Sequence, residues 1–330
     1  MPLLRSLSII AAGTLIFAGL SSATGSAAPT EEREVFAPDG TISRVVVPVP
    51  QQPPAQRSAV QADVVTIQQT GPSSERFDLV FVGDGYTSSE LGTYKQHAIN
   101  RWNEIAQLEP FKSHKNSFNV WAVNVVSQQS GVDNDPRGTM RNTALDMTFW
   151  CGGTERLLCV NETKAQQYAR LAPQVDQVIA LGNTTKYGGA GGKVATSSGG
   201  NAQAGQIVMH ELGHSMAGLA DEYDYPNDRY TGSEPREVNA SKYTEAQMRA
   251  NRTKWYQYLG KQSPDGGVVG TYEGAVYHKR GVYRPTENSL MRALGREFNL
   301  IGLDAMKAAI KRKSPGVDAA ASDQSTGAAR

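Results

Sequence analysis

The chain has 330 residues, a formal net charge of +1 and a hydrophobic content of 39%, enough for one sizeable core in a single domain or in two lobes. Near-neutral charge argues against nucleic acid or an anionic membrane surface as the main partner. The two cysteines, with no histidine between them, cannot complete a thiolate metal cage.

Residues 1–28 read as an export signal. Arg5 supplies a positive start, residues 7–20 form an apolar run broken only by small side chains, and Ser26, Ala27 and Ala28 offer a small-residue cleavage site. The run is short for a bilayer span, and no later stretch is long and apolar enough, so the expectation is a secreted, extracellular monomer without stable membrane association. Residues 29–75 are rich in Pro, Gln, Ser and Thr. The prolines of VVVPVPQQPPAQ suit no central strand, and the segment reads as a linker or short pro-segment with one edge strand at 43–49.

The main folded domain is expected over 76–313. FDLVFVGDGYT, starting at Phe77, is a buried strand ending in a Gly-Asp-Gly turn. The lone Gly-x-Gly lacks the rest of a phosphate loop. Thr87, Ser88 and Ser89 can cap a helix in which Leu91, Tyr94, Ala98, Trp102 and Ile105 share a face. Strands follow at 118–126 and 175–182, then a glycine-rich loop around a short strand at 193–197, expected to be an edge able to pair with an extended substrate. This order predicts an α/β layer with a largely parallel, twisted mixed sheet. In an oxidising compartment Cys151 and Cys159, eight residues apart around Gly152 and Gly153, predict a disulfide.

A helix over 201–217 carries HELGH at 210–214. Residues four apart share one helical face, so His210 and His214 can bind one Zn²⁺. Glu211 is then placed to act as general base. The metzincin pattern HExxHxxGxxH turns the chain at its glycine and takes a third ligand three residues later. Here Gly218 is followed three residues on by Asp221, the chosen third ligand, with Glu222 as runner-up. Met291, in a polar turn before a last helix at 303–311, fits a methionine turn below the metal. Some metzincins carry a Tyr two residues after that Met. Ala293 stands there instead, which leaves Tyr277, His278 and Tyr283 as weaker candidates for an oxyanion donor. Asp133 with Asp135, or Asp224 with Asp228, are candidate oxygen ligands for a structural Ca²⁺. Residues 314–330 read as a disordered tail.

FVGDGYT at 81–87, NVVSQQSGVDNDP at 124–136, HELGHSMAGLADEY at 210–223 and GVYRPTENSLMR at 281–292 together resemble the bacterial IgA-peptidase family of secreted zinc metallopeptidases. The resemblance implies a two-lobed metzincin-like α/β fold, with an upper lobe at 76–217 and a lower lobe at 218–313, and endopeptidase action on a polypeptide substrate. It implies zinc on His210 and His214, base duty for Glu211 and an acidic third ligand near Asp221. Two other classes stay open: a secreted zinc-binding module without peptidase activity, and a zinc amidase or esterase acting on a non-protein substrate.

Overall fold

The computed structural model describes residues 29–49, 61–136 and 140–317. The export signal at 1–28 lies outside the described residues, as does the tail beyond 317. Within the segment read as a linker, β1 (Thr30–Phe36) and β2 (Ile42–Pro48) form an antiparallel hairpin, not a single edge strand. Its turn contains Pro38, Asp39 and Gly40, residue types that close tight turns.

The body is built on a six-stranded mixed sheet. Its strands are β3 (Val64–Gln68), β4 (Phe77–Asp84), β5 (Phe118–Val123), β6 (Gln177–Gly182), β7 (Gly189–Ala190) and β8 (Ala195–Ser198). The spatial order is β3-β5-β4-β6-β8-β7. The inner four strands run parallel and the two edges antiparallel. Every residue of β4 is buried, as a strand covered on both faces requires. Leu79 and Phe81 face α1 (Leu91–Ile105) through Tyr94, Ala98 and Trp102. Val80 and Val82 face the opposite way, toward Ala165 and Ala169 of α2 (Glu162–Ala169). Helices therefore cover both faces.

The expectation for 193–197 is corrected here. β8 starts at Ala195 and is interior, because the glycine-rich chain before it folds back as β7 and takes the edge position. Gly189 permits that fold: a Cβ there would lie 2.6 Å from the Thr196 carbonyl oxygen. The Gly-Asp-Gly turn holds no ligand loop. Asp84 is buried and accepts from Thr143 Oγ1 and the backbone N–H groups of Leu145 and Met147, each at 2.8 Å, which fixes residues 143–147.

α3 (Gly205–Ala217) carries the HELGH segment and packs between β8 and the last helix. Beyond it come β9 (Asp224–Arg229), α4 (Glu245–Asn251), β10 (Tyr272–Ala275), β11 (Tyr277–Arg284) and α5 (Leu300–Lys313). β9, β10 and β11 form a second, three-stranded sheet in the order β10-β11-β9. α5 caps on Asn299, whose Oδ1 accepts from Gly302 N–H at 2.9 Å, and packs Leu303, Met306 and Ile310 into the same core as Val208 and Leu212 of α3. Among the described residues no helix is long and apolar enough to cross a membrane. Cys151 and Cys159 form a disulfide.

Candidate metal centre

α3 ends at Gly218, whose φ of +60° is the left-handed conformation that glycine adopts without a side-chain clash. Leu219 N–H returns to the Gly213 carbonyl at 3.2 Å, and the chain doubles back beneath its own helix. This brings Asp221 against the two imidazoles. Asp221 Oδ1 lies 3.2 Å from His210 Nε2 and 3.2 Å from His214 Nε2, and the two nitrogens are 3.0 Å apart. A fourth atom joins them from outside the body. Glu34 Oε2, in β1, is 3.2 Å from His210 Nε2 and 3.7 Å from His214 Nε2. Ligands about 2.0–2.1 Å from a tetrahedral zinc stand about 3.3 Å from one another. The four donors fit that figure.

Their surroundings fix them in ligating form. His210 Nδ1 lies 3.0 Å from the Leu290 carbonyl and His214 Nδ1 lies 2.6 Å from the Leu219 carbonyl. A carbonyl can only accept, so each Nδ1 carries a proton, and it is Nε2 that each ring would present to a metal. Tyr277 O–H donates to Asp221 Oδ2, while buried Asp221 Oδ1 has no hydrogen-bond partner, the orphan atom that a cation would satisfy. Tyr223 O–H donates to Glu34 Oε1 at 2.6 Å. Beneath the helix, Met291 is buried, and a Cβ added at Gly213 would lie 2.7 Å from its sulfur.

The charges of the group depend on one another. Burial alone would raise Glu34, yet the imidazoles of His210 and His214 hold it well below the usual carboxylate range. Burial, with the Glu34 carboxylate adding to it, pushes Glu211 up to about 8. Burial would lower His210, but the Glu34 and Asp221 carboxylates outweigh it and push it up to about 10. A divalent ion would supply to Glu34 and Asp221 the positive charge that imidazole protons supply without it.

Glu211 stands beside this group in a cavity of about 490 Å³, whose lining includes Arg33, Glu162, Gly191, His214 and Tyr277. Its Oε1 is buried without a partner, and the Gly191 backbone presses so close that a Cβ there would lie 2.0 Å from Oε2. Glu222 points elsewhere. It accepts from Asn239 Nδ2 at 2.9 Å, Asn299 Nδ2 at 2.8 Å and Ser289 Oγ at 2.7 Å, tying the loop after α3 to the Met291 turn and to the start of α5.

His210, Glu211, His214 and Asp221 thus come together, with Met291 below. Tyr277 reaches the group as the partner of Asp221. Tyr283 and His278 are not among the cavity's lining residues. Asp224 pairs with Arg292 and Lys279, and Asp133 accepts from the Arg141 N–H. Sequence reasoning missed Glu34 and Tyr223. The alternating TEEREVF segment before Pro-Asp-Gly was the available signal for a strand and hairpin, but nothing in it points to the histidines far downstream.

Residues 65–266 and 259–310 match the family model described as IgA Peptidase M64. No curated protein matches the chain.

Proposed function

The chain belongs to the IgA peptidase M64 family, and from that premise we propose that it is an exported zinc-dependent endopeptidase with His210, His214 and Asp221 as metal ligands and Glu211 as general base. The observation that carries this reading is the near-tetrahedral spacing of the His210, His214 and Asp221 donor atoms beside the unpartnered carboxylate oxygen of Glu211. A zinc held there would supply polarisation of the scissile carbonyl and a more acidic water. His210 and His214 would hold it through Nε2, oriented by the Leu290 and Leu219 carbonyls, and Asp221 through Oδ1, with Tyr277 fixing the other oxygen. Met291 fills the space under the helix as a methionine turn. Glu211 takes a proton at Oε1 from the attacking water and returns it to the leaving amine. Tyr223 does not line the cavity, but its hydroxyl donates to a Glu34 oxygen beside the ligands, and with Glu34 displaced it would be a candidate donor to the attacked carbonyl oxygen. Export is supported by the apolar run in residues 1–28 and by the Cys151–Cys159 disulfide.

One observation favours a second reading. Glu34 completes a set of four protein ligands, and a closed set is the mark of a structural zinc. A carboxylate in the position of Glu211 has no task in such a site.

The test is cleavage of a denatured protein by the zinc-loaded chain carrying Glu34→Ala, which opens the fourth ligand position, with and without a chelator, beside the same chain also carrying Glu211→Gln. We expect chelator-sensitive cleavage and a rate lower by about 10²–10⁴ when Glu211 is replaced, with zinc content unchanged. Equal rates with and without Glu211 would remove it from the mechanism.

A further inference from the structure

We infer that the β1–β2 hairpin is an inhibitory segment that holds the peptidase latent, with Glu34 as a displaceable fourth ligand in the position the hydrolytic water needs. The inference rests on the zinc-peptidase reading above.

The first observation is where Glu34 sits. Its Oε2 occupies the remaining corner of the group, and its Oε1 accepts from Tyr223 O–H. A carboxylate held in this way resembles a substrate carbonyl with water added to it: one oxygen toward the metal ligands, the other on a phenolic donor. With that corner filled by protein, no position is left for water beside Glu211.

The second observation is that the hairpin follows the cleft on both sides of Glu34. Arg33 donates to the Gly191 carbonyl and pairs with Glu162 at 3.3 Å. Val35 and Val47 pack on Leu157, Cys159 and Ala190. Phe36 lies edge-on to His210 with ring centroids 5.5 Å apart. β1 therefore lies beside β7, the edge strand, where an extended substrate would have to lie.

The third observation separates the hairpin from the body. β1 and β2 pair with each other as their own two-stranded sheet. The family match begins at residue 65, so Glu34 is the one member of the metal group outside it, whereas His210, His214, Asp221 and Glu211 all lie within it. A permanent structural site would draw its ligands from the body that the family model covers. A ligand on an appended hairpin can leave without unfolding the sheet.

The experiment measures binding of acetohydroxamate, a small chelating probe, to the zinc-loaded full chain and to Glu34→Gln and Glu34→Ala. Zinc content, thermal unfolding and cleavage of a denatured protein are followed in parallel. Glu34→Gln keeps the side-chain volume and guards against a packing artefact. A probe that must wait for an open site has its affinity reduced by the open fraction. Both variants should therefore bind it at least about tenfold more tightly than wild type, with zinc retained. Equal affinity in all three proteins, or loss of zinc from Glu34→Ala, would overturn the inference, the latter by making Glu34 a permanent ligand. Tighter probe binding without cleavage would leave latency standing at the metal and remove the peptidase reading instead.

Discussion

Asp221 and Glu222 are adjacent carboxylates with separate partners. Asp221 Oδ1 faces two imidazoles and has no hydrogen bond of its own, while Glu222 takes three side-chain donors from three different segments. Removing each should therefore fail in a different way. Asp221→Ala should lose zinc and activity while the fold persists. Glu222→Ala leaves the amides of Asn239 and Asn299 and the hydroxyl of Ser289 unpaired in the interior, and should cost at least ~2 kcal/mol of stability. Zinc content and thermal unfolding of the two variants check this; zinc lost from Glu222→Ala with its melting temperature unchanged would exchange the roles. The two histidines were legible because helical spacing puts residues four apart on one face, and Glu211 because it directly follows the first of them. Asp221 was legible because Gly218 marks where the helix must turn. Tyr277 was read as a weaker candidate for an oxyanion donor, and in the structure its hydroxyl donates to Asp221. Its hold on Asp221 depends on the parallel pairing of β11 with β9, in which Tyr277 stands opposite Asp224, and a pairing between distant segments leaves no local mark.

The hairpin and the disulfide loop act as one element. Gly152, inside the loop closed by Cys151 and Cys159, sits against Val47 so tightly that a Cβ would meet Cγ1 at 2.1 Å. Val35, Val47, Leu157, Cys159 and Ala190 form one apolar cluster. The disulfide thus braces the surface on which the hairpin lies. Replacing both cysteines by serine releases a short loop and should cost ~2–3 kcal/mol. In a chain of this size the melting temperature should fall by roughly 3–5 °C, and protease attack on residues 29–49 should become faster. An unchanged melting temperature and cleavage pattern would separate the loop from the hairpin. The sequence made the loop readable and hid the hairpin. Prolines flanking residues 43–49 argued for a linker, while Pro38-Asp39-Gly40, the turn signal, lay in a stretch with too few apolar residues to stand out as paired strands. The edge strand was misplaced for a related reason: glycines permit both an open loop and a fold-back, and only the packing of Gly189 against β8 decides between them.

At the scale of the whole molecule, the six-stranded sheet supplies rigidity and α3 carries the chemistry across its face. Val208 and Leu212 of α3 share one core with Leu79 and Phe81 of β4 and with Met291, Phe298 and Met306 below. The helix is held from both sides, so its imidazoles keep their spacing without help from the hairpin. The strands β4, β5 and β6 were visible in the sequence, because buried parallel strands are short unbroken apolar runs, whereas their order in the sheet was not. The region after Gly218 was not, because β9, β10 and β11 are polar and half exposed, with no period to betray them. Both the peptidase reading and the latency reading depend on where the metal sits. Anomalous diffraction at the zinc absorption edge, on crystals of the zinc-loaded full chain, locates it directly. The account predicts one peak about 2.0–2.1 Å from His210 Nε2, His214 Nε2 and Asp221 Oδ1, with Glu34 Oε2 at the fourth corner. A peak beside Glu222, or none within reach of the two imidazoles, would contradict it.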